Sequence, residues 1–192
     1  MKFKNSLLLL LVISSIVAVA GCSSDNNGDG VQQATPQQQP TPVKGNINNP
    51  AGINETLTIS SGGEVYNFSV VQVIRGNEIN NKVRSANDHE KPAPGFEYLL
   101  VDVKLAYNHL FHEAPAYVYN GEFNAYCDNV ECNLASVYVA NDMTVFDDGN
   151  LMPGGVKEGW IAYTVPQGKE VVIGFQPGAS TGSNCFVSVG SK

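Results

Sequence analysis

The chain has 192 residues, 43% of them hydrophobic, which is enough for one ordinary domain with a real core and excludes a wholly disordered protein. Acidic residues outnumber Lys and Arg by 18 to 11, a formal charge of −7, so no basic face is visible that could displace phosphate counterions from a nucleic acid. Nineteen glycines and ten prolines, with no long helix-forming run after residue 21, favour strands and turns.

In chain order, residues 1–21 read as a secretory leader. Lys2 and Lys4 make a short positive start, and Leu7 to Val19 is apolar apart from Ser14 and Ser15. That run falls short of the roughly 20 apolar residues a spanning helix needs. Val19-Ala20-Gly21-Cys22 resembles the lipobox of bacterial lipoproteins, in which small residues fit a narrow protease site and the thiol accepts lipid. The resemblance implies cleavage before Cys22 and two or three acyl chains on it, enough for stable anchoring at about 0.8 kcal/mol per buried CH₂. Without Lys2 and Lys4 the mature chain carries 18 acidic against 9 basic residues, or −9. This disfavours attachment to anionic lipid through a polybasic patch.

Residues 22–53 form the lipidated start and a Gln-, Pro- and Asn-rich linker. Ser23 to Gly30 and Gln37-Gln38-Gln39-Pro40-Thr41-Pro42 contain no aromatic residue, and the few aliphatics have no period. Such a segment buries too little apolar surface to offset its ordering entropy, so a disordered tether is expected. Its last residues, after Asn46, have the alternative of pairing as an edge strand.

From residue 54 to 192 strand-like runs alternate with turn clusters. Glu55–Ile59 alternates with period two and is turned by Ser60-Ser61-Gly62-Gly63; Val65 to Arg75 is β-branched and aromatic. Residues 76–94 look like a long polar connection. Phe96 to Tyr107 is the clearest strand, with Leu99, Val101, Val103 and Leu105 on one face and Asp102 and Lys104 on the other. Tyr117–Tyr126, Leu134–Val139, a short Met143–Phe146, Trp160–Val165, Val171–Phe175 and Phe186–Val189 complete eight or nine strands. No stretch offers the helix-sized crossovers of a parallel sheet, so the fold class is all-β, an antiparallel two-sheet sandwich.

Two segments carry a family resemblance. Pro94-Gly95-Phe96-Glu97-Tyr98-Leu99-Leu100-Val101-Asp102-Val103 with Asn108, and Leu151-Met152-Pro153-Gly154-Gly155 continuing to Gly159-Trp160-Ile161-Ala162-Tyr163-Thr164-Val165-Pro166, resemble motifs of a large family of immunoglobulin-like domains. Those domains, of unknown function, occur on many bacterial and archaeal lipoproteins and are similar in fold to a secreted immunoprotective antigen of mycobacteria. The resemblance spans about residues 54–178. It implies an immunoglobulin-like sandwich and brings no activity or catalytic residues with it. Gly95 and Gly159 each precede a bulky strand where a residue without Cβ suits a change of direction. Trp160, Phe96 and Tyr98 are expected as core or sheet-face residues, with a ligand-stacking platform as the alternative.

With Cys22 lipidated, Cys127, Cys132 and Cys185 remain. A Cys127–Cys132 disulfide would close a small loop between two strands; Cys185 has the options of pairing with either one or staying buried. The spacing departs from the C-x-x-C redox signature. His109 and His112, with Glu113 beside them and His89-Glu90 upstream, are candidate zinc or copper ligands, although an i, i+3 pair on a strand points to opposite faces; solvated loop histidines are the alternative. Asp142 with Asp147-Asp148-Gly149-Asn150 offers oxygen ligands for calcium, or simply a turn. Asn54-Glu55-Thr56 and Asn67-Phe68-Ser69 match glycosylation acceptors. No G-x-S-x-G elbow or recognisable nucleophile set is present, so no enzyme and no cofactor are expected. The expected product is a lipid-anchored protein on the extracytoplasmic side of a cell or outer membrane, binding an unknown protein or envelope ligand, with metal handling as the alternative.

Overall fold

The computed structural model describes residues 43–85, 91–178 and 184–191. The leader, Cys22, the linker before residue 43 and His89-Glu90 lie outside the described residues.

Strand β1 (Leu57–Ser61) pairs with β2 (Glu64–Arg75), and β2 pairs with β4 (Phe96–His109) in a register that sets Tyr66 opposite Tyr107 and Val73 opposite Val101. On the other flank of β4 runs β10 (Val156–Pro166), with Ile161 opposite Val101 and Tyr163 opposite Leu99. A second sheet sets β11 (Val171–Phe175) between β6 (Phe123–Cys127) and β12 (Cys185–Gly190). Strand β7 (Val130–Leu134) links the two, since Cys132 pairs with Ala125 of β6 while Leu134 pairs with Tyr163 of β10. Two short ladders, β3 (Val83–Ser85) with β8 (Val137–Val139) and β5 (Ala116–Val118) with β9 (Gly149–Leu151), lie outside this frame. All these ladders are antiparallel, and the architecture is an immunoglobulin-like antiparallel β-sandwich.

Alternation fixes which side chains meet between the sheets. Leu99, Val101, Val103 and Leu105 are fully buried on one face of β4, as the sequence pattern requires. Beside them on the same sheet, the Phe68 ring of β2 reaches across to the second sheet, 5.7 Å from Phe123 and 5.4 Å from Phe175, each full burial contributing about 1.5–3 kcal/mol. The outer face of the first sheet is also covered. Leu100 and Ile74 pack there with Ile79 of a 3₁₀ turn (Gly76–Asn81) and with Trp160, Tyr98 and Val139.

Registers define two ends of the sandwich. Glu64, His109, Phe175 and Cys185 mark one; Arg75, Glu97, Val171 and Gly190 mark the other. At the second, the buried Arg75 guanidinium donates to Glu97 Oε1 (2.7 and 3.2 Å) and to the carbonyls of Lys169 and Gly190 (both 3.0 Å), joining both sheets.

Several elements differ from the sequence reading. Residues 43–53, read there as the end of the linker with edge pairing after Asn46 as the alternative, lie against the sandwich as that alternative has it: Ala51 is buried, and its amide donates to the Phe186 carbonyl while its carbonyl accepts from Ser188. The run Tyr117–Tyr126 is two strands split by a 3₁₀ turn at Asn120–Glu122. Leu134–Val139 is likewise divided, because the Ala135 amide turns to the Ala162 carbonyl before the chain leaves for β3. Met143–Phe146 forms a single parallel bridge, Trp160 donating to Thr144 O (2.9 Å) and Phe146 to Trp160 O (3.0 Å). The connection at residues 76–94 contains the 3₁₀ turn and β3.

Candidate functional site

The histidines do come together, by a route that strand geometry does not give. Strand β4 stops at His109 and the chain doubles back, so the His109 and His112 rings stack with centroids 3.4 Å apart. The Phe111 and His112 amides donate to His109 Nδ1 (3.1 and 3.3 Å), and the Ala114 amide donates to His112 Nδ1 (3.3 Å). One nitrogen of each ring is therefore spent on shaping the loop. Among the described residues no three His, Cys, Asp or Glu side chains gather as a metal set.

The acidic residues of the turn are dispersed to separate partners. Asp142 pairs with Lys82 (2.7 Å), Asp147 with Lys157 (3.1 Å), and Asp148 Oδ1 accepts the Asn120 amide (3.0 Å). Gly149 and Asn150 are taken up in β9, so this segment is not wrapped around a common point.

Cys127 and Cys132 face one another across a tight hairpin. Asp128 and Asn129 both have positive φ (49° and 62°), the conformation of a two-residue primed turn, and Cys127 is set opposite Val130. Cys132 then falls two residues along on the same face, and the sulfurs stand 3.2 Å apart as free thiols. Burial, followed by the neighbouring thiol, pushes Cys127 up to about 12. Cys185 is buried at the opposite end of the sandwich, opposite Phe175, which is itself opposite Phe123. Four strand residues, about 13 Å, separate that level from Cys127, beyond the roughly 7 Å that a disulfide spans between Cα atoms.

The described cleft lies on the outer face of the first sheet. Trp160 and Ala162 of β10 form its floor, Val137 and Val139 of β8 one wall, and Val145 and Phe146 the other. Its volume is about 90 Å³, and although most of its lining residues are apolar, much of the surface it exposes is polar. Gly159 is what allows that wall: a Cβ there would sit 2.6 Å from the Phe146 nitrogen, so only glycine admits the 144–146 backbone beside β10. Its role is close approach within the strand, whereas Gly95, at φ +86°, holds the turn into β4. Phe96 is largely exposed, and Tyr98 and Trp160 are half-buried under the β3–β8 ladder.

Directly across the ladder from Trp160 is Asp102, only 9% exposed, with Gln72 on its other side next to an irregularity in β2. Burial, then the Glu158 carboxylate, raises its carboxyl to about 6, and Lys104 opposes the rise. Sequence alternation placed Asp102 on the outer face but could not show that this face is covered. Val137 and Val145 were equally hidden, since both sit in short segments whose partners are remote in sequence.

An antiparallel sandwich with a small cleft on one outer face is the class that fold and site define. No family model and no curated protein matches the chain. Among solved structures it is similar to the yjhA protein of Bacillus subtilis, with TM-score 0.51 and 16% identity over 72% of this chain and 98% of that one. It is also similar to ycdA of Bacillus subtilis, described as a "putative lipoprotein", with TM-score 0.50 and 13% identity over 70% of this chain. This chain spans only 38% of ycdA. MPT63, a secreted protein of Mycobacterium tuberculosis, aligns over 79% of this chain at 14% identity and TM-score 0.44.

Proposed function

We propose that the chain is an extracytoplasmic lipoprotein, anchored through Cys22, whose sandwich is a non-catalytic binding module for another protein. The observation that carries the binding reading is the Trp160 cleft. At about 90 Å³ it is well below the roughly 300–1,000 Å³ of small-molecule sites, and it suits a single side chain of a partner, its body against Trp160 and a polar tip within reach of the exposed backbone. Its rim offers further contact area, because Leu134 and Val145 are 45% and 53% exposed. The anchor reading rests on the Val19-Ala20-Gly21-Cys22 motif behind an apolar leader. Among the described residues no helix is long and apolar enough to cross a membrane. The Cys127–Cys132 disulfide belongs to the same reading, since an exported hairpin with two facing thiols meets an oxidising compartment.

The cleft is tested by placing a photo-crosslinking side chain at Val145 and irradiating intact cells. A discrete adduct to one envelope protein that disappears in Leu134→Glu supports the proposal. Absence of any adduct, with the protein folded and at the surface, contradicts it.

A further inference from the structure

We infer that the His109 end of the sandwich, led by Leu110 and Phe111, rests on the outer leaflet of the same bilayer that holds the Cys22 lipid. The inference depends on the anchor proposed above. Leu110 and Phe111 are 64% and 79% exposed, yet their loop is built rigidly. The Leu110 amide donates to the Gly63 carbonyl (2.8 Å), and the stacked histidines accept the amides of Phe111, His112 and Ala114. The Phe111 ring lies so close over Gly63 that a Cβ there would meet it at 2.6 Å. Two large apolar side chains are thus held out to solvent on a fixed support, with Met152 and Val156, both more than half exposed, in the turn and strand start that adjoin the end of β4.

The path of the chain selects the occupant. Phe186, one residue into β12, donates to the Gly45 carbonyl (2.8 Å), and the segment continues parallel to β12 to the Ala51–Val187 bridge. The residues before Gly45 therefore leave at the end where β12 begins, which is the His109 end; Val43 there is 79% exposed. Twenty residues separate Cys22 from Val43, and they span at most about 70 Å in any conformation. The anchor thus pulls from the end that carries the apolar loop. Two partly inserted side chains would not hold a free protein on a vesicle, but tethering makes contact intramolecular, at a millimolar effective concentration. The mature charge of −9 favours a zwitterionic over an anionic surface.

The test uses the full lipidated chain carrying Phe111→Trp, reconstituted in phosphatidylcholine vesicles with and without brominated phosphatidylcholine. Mass spectrometry first establishes lipid on Cys22. The added tryptophan is expected to emit further to the blue and to be quenched about twofold more than Trp160 of the unsubstituted chain. Replacing half the lipid by phosphatidylglycerol should reduce that quenching. A lipidated chain whose added tryptophan emits as in water and is not quenched overturns the docking and leaves the anchor standing. A chain without lipid overturns both. A dimer in detergent that dissociates on Phe111→Ser would make a second copy the occupant and overturn the inference.

Discussion

Tyr163 of β10 donates its hydroxyl to the carbonyl of Phe123 at the start of β6, 2.9 Å away and wholly within the core. It ties β10 directly to β6, two strands that the backbone ladders join through β7. Burial pushes the phenol well above the usual tyrosine range, so the donor stays protonated at any working pH. Tyr163→Phe keeps the ring but orphans the buried carbonyl, and should cost about 1–3 kcal/mol in urea unfolding. Tyr163→Ala adds a cavity and should cost about 3–5 kcal/mol.

On the same rung of the first sheet, since Tyr163 and Arg75 both lie opposite Leu99, the Arg75 guanidinium is buried against Glu97, and its remaining donors satisfy two carbonyls. Arg75→Ala leaves a nearly buried carboxylate unpaired and should destabilise by about 3–5 kcal/mol. Arg75→Lys retains the charge but loses the planar fork, so a smaller loss is expected. Chemical denaturation of the three proteins at one pH measures both.

Asp102 gives the stability a pH dependence of definite sign. Its folded value, about 6, lies above the ordinary 3.8, so the folded state holds more protons between those two values. Stability attributable to this group therefore falls as pH rises from 3.8 to about 6, and is flat above, by on the order of 2 kcal/mol. Asp102→Asn should remove that slope from the thermal midpoint measured across the range.

Protein recovered from an oxidising compartment should contain one free thiol, Cys185, reactive only after unfolding, and a Cys127–Cys132 bridge. On the loop-entropy account, closing so short a loop contributes about 2 kcal/mol. Reduction should lower the melting temperature accordingly, and Cys127→Ser should make it insensitive to reductant. Thiol counts before and after denaturation check the assignment.

The long strands were legible because apolar residues recur on one core-facing side of each for many residues: β4, β10 and β11 show this in Leu99–Leu105, Ile161–Val165 and Val171–Phe175. Short segments were not, because their state is set by contacts remote in sequence. Met143–Phe146 has strand-like composition, but its conformation depends on Gly159 admitting it beside Trp160. Residues 43–53 look like linker, yet Ala51 finds the free edge of β12. The histidine pair shows the converse case. Its residues are plain in the sequence, while its stacking depends on β4 ending at His109. Arg75 carried no sequence signal beyond closing an apolar run, since Glu97 and the two carbonyls reach it only in the folded sandwich.

The address of the protein governs its partner, its redox state and its orientation, and one measurement tests it most directly: the mass and sequence of the N-terminal peptide of the mature protein extracted from membranes. The account predicts a peptide beginning at Cys22 and carrying the mass of a diacylglyceryl group, with or without a further acyl chain. An unmodified Cys22, or a mature chain that begins elsewhere, would contradict it.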